Sequence, residues 1–170
     1  MQLTAHSAEK ILSDMGMSDL PLIEIQPQRH TIPSDWFVQY KKKCYEFITS
    51  LTDSVETLAF MNLSQDEFMN LITGHSIPQN LSIRFRIPLI WGGELSIDNM
   101  FMCSTFPHSN NMDCFIINQS DAKTIWLPNP SQKVYLPTHA GGGGDGGNAT
   151  EDRLAQIGAQ LTGALGGHDI

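Results

Sequence analysis

Cys103, His108, Asp113 and Cys114 lie close together along the chain. The spacing Cys-x4-His-x5-Cys, across an expected hairpin, places two soft sulfur ligands and an imidazole where a zinc ion could sit. Structural zinc takes four ligands, so the fold would have to import a fourth, such as His139 or Cys44, and the chain has no Cys-x2-Cys half-site. The same residues could support nucleophilic catalysis if the thiol of Cys103 or Cys114 met His108 or His139 at hydrogen-bond distance. Phe101, Met102, Phe115 and Ile116 flank the two cysteines, and apolar burial raises a thiol pKa. Inert core thiols beside a turn histidine are therefore the expectation, and no metal or other cofactor is called for.

Gly92-Gly93, Asn99, Cys103 and His108, on a strand-turn background, are similar to the latter half of the His-Asn-His nuclease pattern. Metal-dependent phosphodiester cleavage also needs a base to activate water, and residues 76–91, where that base would be sought, contain no His, Asp or Glu. From Glu94 onward the chain carries eight acidic residues against three basic ones, a local charge that repels nucleic acid. A small metal-assisted hydrolase or nuclease-like enzyme centred on Cys103, His108, Asp113 and Cys114 is thus the alternative reading. The glycine run 141–147 could cradle a phosphate ahead of a helix. It lacks a following Lys-Ser/Thr, and Asp145, Glu151 and Asp152 would already occupy the positive potential there.

The composition narrows the classes further. In 170 residues there is room for one core of ordinary size, and ten Lys and Arg against eighteen Asp and Glu give a net charge of −8, the wrong sign for neutralising phosphates. Nucleic acid is an improbable partner. The opening Met1 to His6 has no basic region followed by an apolar core, and no run approaches the roughly 18 apolar residues of a membrane span. Three cysteines at irregular spacing do not write a disulfide framework. The expectation is an intracellular, cytoplasmic protein, or one held within an assembled particle, without membrane contact.

The elements that must position these residues follow from period and caps. Ala8, Ile11, Leu12 and Met15 recur at helical spacing between Ser7, a capping type, and Gly16. Phe37, Tyr40, Cys44, Phe47, Ile48 and Leu51 form one stripe of a longer helix after Pro33 and Ser34. Ser64 and Glu67 make a capping box for a third, with Phe68, Leu71 and Ile72 inward and Gly74 as its end. Residues 55–61 fit neither pattern cleanly. From Leu81 to Trp91 the period becomes 2, which predicts a long strand with Arg84 and Arg86 on its outer side, turned by Gly92-Gly93. Further strands are expected at 95–103, 114–118, 124–127 and 133–136. The near-repeat Ile125-Trp126-Leu127-Pro128 and Val134-Tyr135-Leu136-Pro137 is read as a hairpin around residues 129–132. The predicted fold is α+β, with N-terminal helices packed on a C-terminal, mainly antiparallel sheet of four or five strands. Met100 and Met102 would leave a soft apolar surface if no helix covered them.

Six glycines within residues 141–147 read as a tether dividing a 1–140 domain from a terminal helix and tail at 148–170. Leu154, Ile157, Leu161 and Leu165 give that segment an apolar stripe, while Gly158 and Gly163 weaken it as an independent helix. Such a stripe needs a surface: a second chain, or a groove on its own domain. The function expected is that of a non-enzymatic assembly or adaptor subunit, a homo-oligomer or part of a phage-like or secretion-type particle, binding protein through Leu154, Ile157, Leu161, Leu165 and the basic pair Arg84 and Arg86.

Overall fold

Side-chain caps mark where three of the N-terminal helices begin. In the computed structural model, which describes residues 1–73 and 76–137, the first helix, α1 (Ala5–Asp14), is capped by Thr4 rather than Ser7. Ser7 N–H donates to Thr4 Oγ1 at 3.1 Å, and Thr4 N–H donates to Ser7 Oγ at 2.9 Å, a reciprocal cap in which Ser7 is the inner partner. After a short strand β1 (Leu22–Ile25), α2 (Trp36–Thr52) buries Tyr40, Cys44, Phe47, Ile48 and Leu51 of the stripe that helical periodicity marks, while Phe37, expected on the same stripe, stands 39% exposed in the first turn. The segment of unclear pattern is helical: α3 (Val55–Met61), capped by Ser54 Oγ accepting from Thr57 N–H. α4 (Gln65–Ile72) carries the expected Ser64–Glu67 box. Its expected inward face is corrected: only Leu71 is buried, and Phe68 and Ile72 stand 37% and 44% exposed. Gly74, His139, the glycine run and the stripe Leu154, Ile157, Leu161 and Leu165 lie outside the described residues.

The expected long strand is shorter. β2 (Leu81–Phe85) ends where Asn99 intervenes. The Asn99 carboxamide accepts from Ile87 N–H at 2.9 Å and donates to Ile87 O at 2.9 Å and Glu94 O at 2.8 Å, so a side chain replaces the neighbouring strand. Pro88 offers no ladder donor, and a single 3₁₀ turn at Leu89–Trp91 leads into Gly92, whose φ of 91° favours glycine. β3 (Met100–Ser104) returns antiparallel to β2, pairing Ile83 with Met102 and Phe85 with Met100.

Two further expectations are overturned. The predicted strand at 114–118 is part of a helix, α5 (Asn110–Ile117), because Met112, Phe115 and Ile116 bury at helical spacing and their packing outweighs the strand propensity of Phe-Ile-Ile. The near-repeat does not form a hairpin. β4 (Ile125–Pro128) pairs antiparallel with β1, Leu22 opposite Pro128, whereas β5 (Val134–Tyr135) pairs parallel with β3, Met102 opposite Val134. The class is α+β, with a two-stranded sheet, β1–β4, and a three-stranded sheet in the order β2–β3–β5, in place of one sheet of four or five strands.

The three-stranded sheet is covered on both faces. Leu81, Ile83, Phe85, Met100, Met102 and Val134 meet α2, Met61 of α3 and Leu71 of α4. On the other face Phe101 and Cys103 meet Leu12, Met112, Phe115, Ile125 and Leu127. The methionine surface suggested for Met100 and Met102 is therefore core, closed by α2. Because Met102 is wholly buried at the middle of the central strand, Met102→Ala lowers the free energy of unfolding by about 2–4 kcal/mol, whereas Met69→Ala, on an exposed helix face, costs less than about 1 kcal/mol. Urea denaturation of both variants checks the difference.

Candidate functional site

The face of β2 turned towards α5 carries Ser82 and Arg84, which places a guanidinium inside the protein. Arg84 is 1% exposed. Its Nη1 donates to Asp113 Oδ1 at 2.7 Å, Ser109 Oγ at 2.9 Å and Ser109 O at 3.2 Å. Ser109 and Asp113 stand four residues apart, so the first turn of α5 presents both to the same cation. A charge removed from water is costly unless paired and hydrogen-bonded, and this arrangement meets both conditions. Beside it, the Ser82 and Thr105 hydroxyls are 2.6 Å apart.

Arg86 has a different task. Its Nε donates to Asp98 O, Nη2 to Gln132 O, and Nη1 to Asn129 Oδ1 and Pro130 O, while its guanidinium lies 5.4 Å from the centre of the Phe101 ring. The expected exposed pair on the outer side of a strand is thus corrected. Arg84 is buried beneath α5, and Arg86 clamps the 129–132 loop and directs the chain from β4 across to β5. Of the three neighbouring lysines, Lys43 pairs with Glu46 and Lys41 lies over Phe37.

The residues singled out for chemistry are brought only partly together. Cys103 lies on β3 next to the Arg84–Asp113 pair, and burial pushes its thiol up to about 12. Cys44 is raised to about 12, also by burial. Cys114 is raised by burial and by the neighbouring Asp113 carboxylate. All three are protonated thiols near neutral pH, the opposite of an activated nucleophile. Among the described residues no three His, Cys, Asp or Glu side chains gather as metal ligands, so Cys103, His108 and Cys114 do not form a ligand set there. Asn99, the middle of the nuclease-like pattern, holds the 87–94 turn.

One pairing escaped the sequence reading. Ser104 Oγ lies 2.6 Å from His108 Nδ1 and accepts the His108 backbone N–H at 3.3 Å, so one hydroxyl holds both the ring and the backbone of His108. The signal was Ser-x3-His at a strand end. The ring meets Tyr135 edge-on at 6.1 Å. A serine hydrogen-bonded to an imidazole resembles part of a hydrolytic dyad, but both residues are buried and the same hydroxyl caps the turn after β3. Their geometry builds that turn.

With the polar chemistry paired inside, the surface offers two other features. One is an open cleft of about 670 Å³ beside α1, bordered by His6, Glu9, Lys10, Asp19 and Trp126. The other is apolar. On α4 the side chains of Phe68, Ile72 and Met69 sweep one arc next to Leu71, exposed by 37%, 44% and 49%. Tyr45 of α2, also exposed, reaches the end of this helix, its hydroxyl donating to Thr73 O at 3.4 Å.

Removing one partner of the buried pair leaves the other charge stranded: Asp113→Ala costs about 3–5 kcal/mol, while the double replacement Arg84→Met with Asp113→Leu recovers most of that loss in chemical denaturation. Burial lowers the His108 pKa, so the unfolded chain takes up the proton first as pH falls. The His108 contribution is complete above the ordinary histidine range and is lost as pH drops through it, and His108→Gln flattens the stability–pH curve between about pH 5 and 7. Cys103 and Cys44 stay unlabelled by iodoacetamide in the native protein at neutral pH and react in urea; labelling without unfolding contradicts their burial.

No protein family matches the chain, and no curated protein or solved structure shows significant similarity to it.

Proposed function

We propose that the chain is a non-enzymatic assembly or adaptor subunit that binds protein through the open face of α4, most simply the same face of a second copy. The observation that carries this reading is the half-covered helix: Leu71 enters the core while Phe68, Met69 and Ile72 remain at the surface with Tyr45 alongside. A neighbouring set of exposed large apolar side chains on one helix is characteristic of a contact surface, and helix faces of this kind take an amphipathic partner. A multi-subunit particle of phage-like or secretion type is the setting such a surface suits. The hydrolase alternative finds little support, since Cys103 is a buried thiol, Asp113 is held by Arg84, and His108 is buried against Ser104, whose hydroxyl caps a turn.

Met69 and Ile72 are exposed enough for polar replacement without unfolding the body. Sedimentation equilibrium of the full chain over a concentration series tests the reading. Wild type self-associates, and Met69→Lys with Ile72→Lys weakens association by at least about tenfold, roughly 1.4 kcal/mol, with unchanged far-ultraviolet circular dichroism. A wild type that stays monomeric throughout, or a variant that associates equally well, counts against it.

A further inference from the structure

A second apolar recess lies elsewhere on the surface. A groove of about 410 Å³ runs between α3 and the approach to β5, with Glu56, Thr57 and Phe60 on one wall and Gln132, Lys133 and Val134 on the other. Phe60 is 47% exposed in it. Glu56 and Lys133 set an acid and a base at its rim, and neither has an ion-pair partner among the described residues; Lys133 Nζ rests on the neutral Ser50 hydroxyl at 3.0 Å.

The groove sits at the base of the C-terminal segment. Pro137, the last described residue, comes three residues after Val134, within about 10 Å of the groove wall at full extension. Beyond it the sequence carries the glycine run, the charged triplet Glu151-Asp152-Arg153, and then Leu154, Ile157, Leu161 and Leu165 at helical spacing. Sixteen residues separate Pro137 from Leu154. A glycine-rich linker of that length spans about 20–25 Å on average, which places its end at an effective concentration in the millimolar range around a site near its own base. A second copy at micromolar concentration competes poorly with that.

We propose that residues 154–165 seat their apolar side chains in the α3–β5 groove of the same molecule, against Phe60, with Lys133 and Glu56 facing the opposite charges that precede the stripe. The contact goes beyond the α4 reading and does not rest on it: the groove at Phe60 and the face at Met69 and Ile72 are different surfaces, one for the chain's own C-terminal segment and one for a partner.

The full chain provides its own test, because Arg153 is the only Lys or Arg after Lys133 and trypsin can free residues 154–170 by a single cut there. Ile157→Asp with Leu161→Asp accelerates that cut, followed by mass spectrometry, by about tenfold or more, and raises amide exchange across residues 55–61. Phe60→Asp accelerates the cut equally, Met69→Lys with Ile72→Lys leaves it unchanged, and the ratios do not vary with protein concentration. Equal cleavage of wild type and the Ile157/Leu161 variant overturns the proposal. Protection that fades on dilution overturns it by assigning the segment to a second copy, and sensitivity to Met69 and Ile72 but not Phe60 overturns it by moving the contact to α4. The self-association of the α4 variant is read separately, so either reading can fail alone.

Discussion

Covering both faces of a three-stranded sheet leaves the Arg84 charge without access to water, and Asp113 answers it from the first turn of α5. Much of the rest depends on this. The pair fixes where α5 lies over β2, and with it the turn at 105–109 in which Ser104 and His108 are locked together. It also puts Cys103 beneath the same helix in surroundings that keep the thiol protonated. A pair of this kind adds little net stability over an apolar replacement, but breaking it is expensive. Arg86 does complementary work two residues further along the strand. By gathering carbonyls from the 129–132 loop it carries the chain from the sheet of β1 and β4 to the sheet of β2, β3 and β5.

Features with a local cause were legible in the sequence. The α2 stripe from Tyr40 to Leu51 and the Ser64–Glu67 box arise from period and cap chemistry within one element, and both stand where they were read, Phe37 at the exposed start of α2 excepted. Features decided by distant partners were not. Phe115-Ile116-Ile117 has the composition of a strand, and only the shape of the α1–β4 side of the core makes it helical. Alternation from Leu81 to Trp91 concealed the stop imposed by Asn99, twelve residues beyond Ile87, and alternation alone could not tell an arginine facing solvent from one facing an aspartate on a helix that had not been anticipated. The candidate site suffered most. Cys103, His108, Asp113 and Cys114 are neighbours in sequence, yet Asp113 is taken up by Arg84 and His108 by Ser104, and the four do not gather as a ligand set. The C-terminal stripe remains a property of the sequence, outside the described residues.

The functional reading rests on this division between inside and outside. Of the residues the sequence singled out for chemistry, Cys103 and His108 are buried and Asp113 is paired with Arg84, whereas α4 keeps large apolar side chains at the surface. On α4, two turns long, Leu71 enters the core while Phe68, Met69 and Ile72 stay exposed. The proposed contact surface therefore lies outside the sheet, since no residue of β2, β3 or β5 contributes to it. The groove between α3 and β5 lies apart from this face, so the proposed contact of the C-terminal segment and the proposed contact with a partner use different residues.

The most direct measurement of the central claim is the methyl spectrum of the full chain traced by dilution from millimolar to micromolar concentration. The account predicts that the Met69 and Ile72 methyl resonances move together with concentration while those of Met102, sealed under α2, stay fixed. Resonances of Met69 and Ile72 that hold still across the whole range, or that move no more than that of Met102, contradict it.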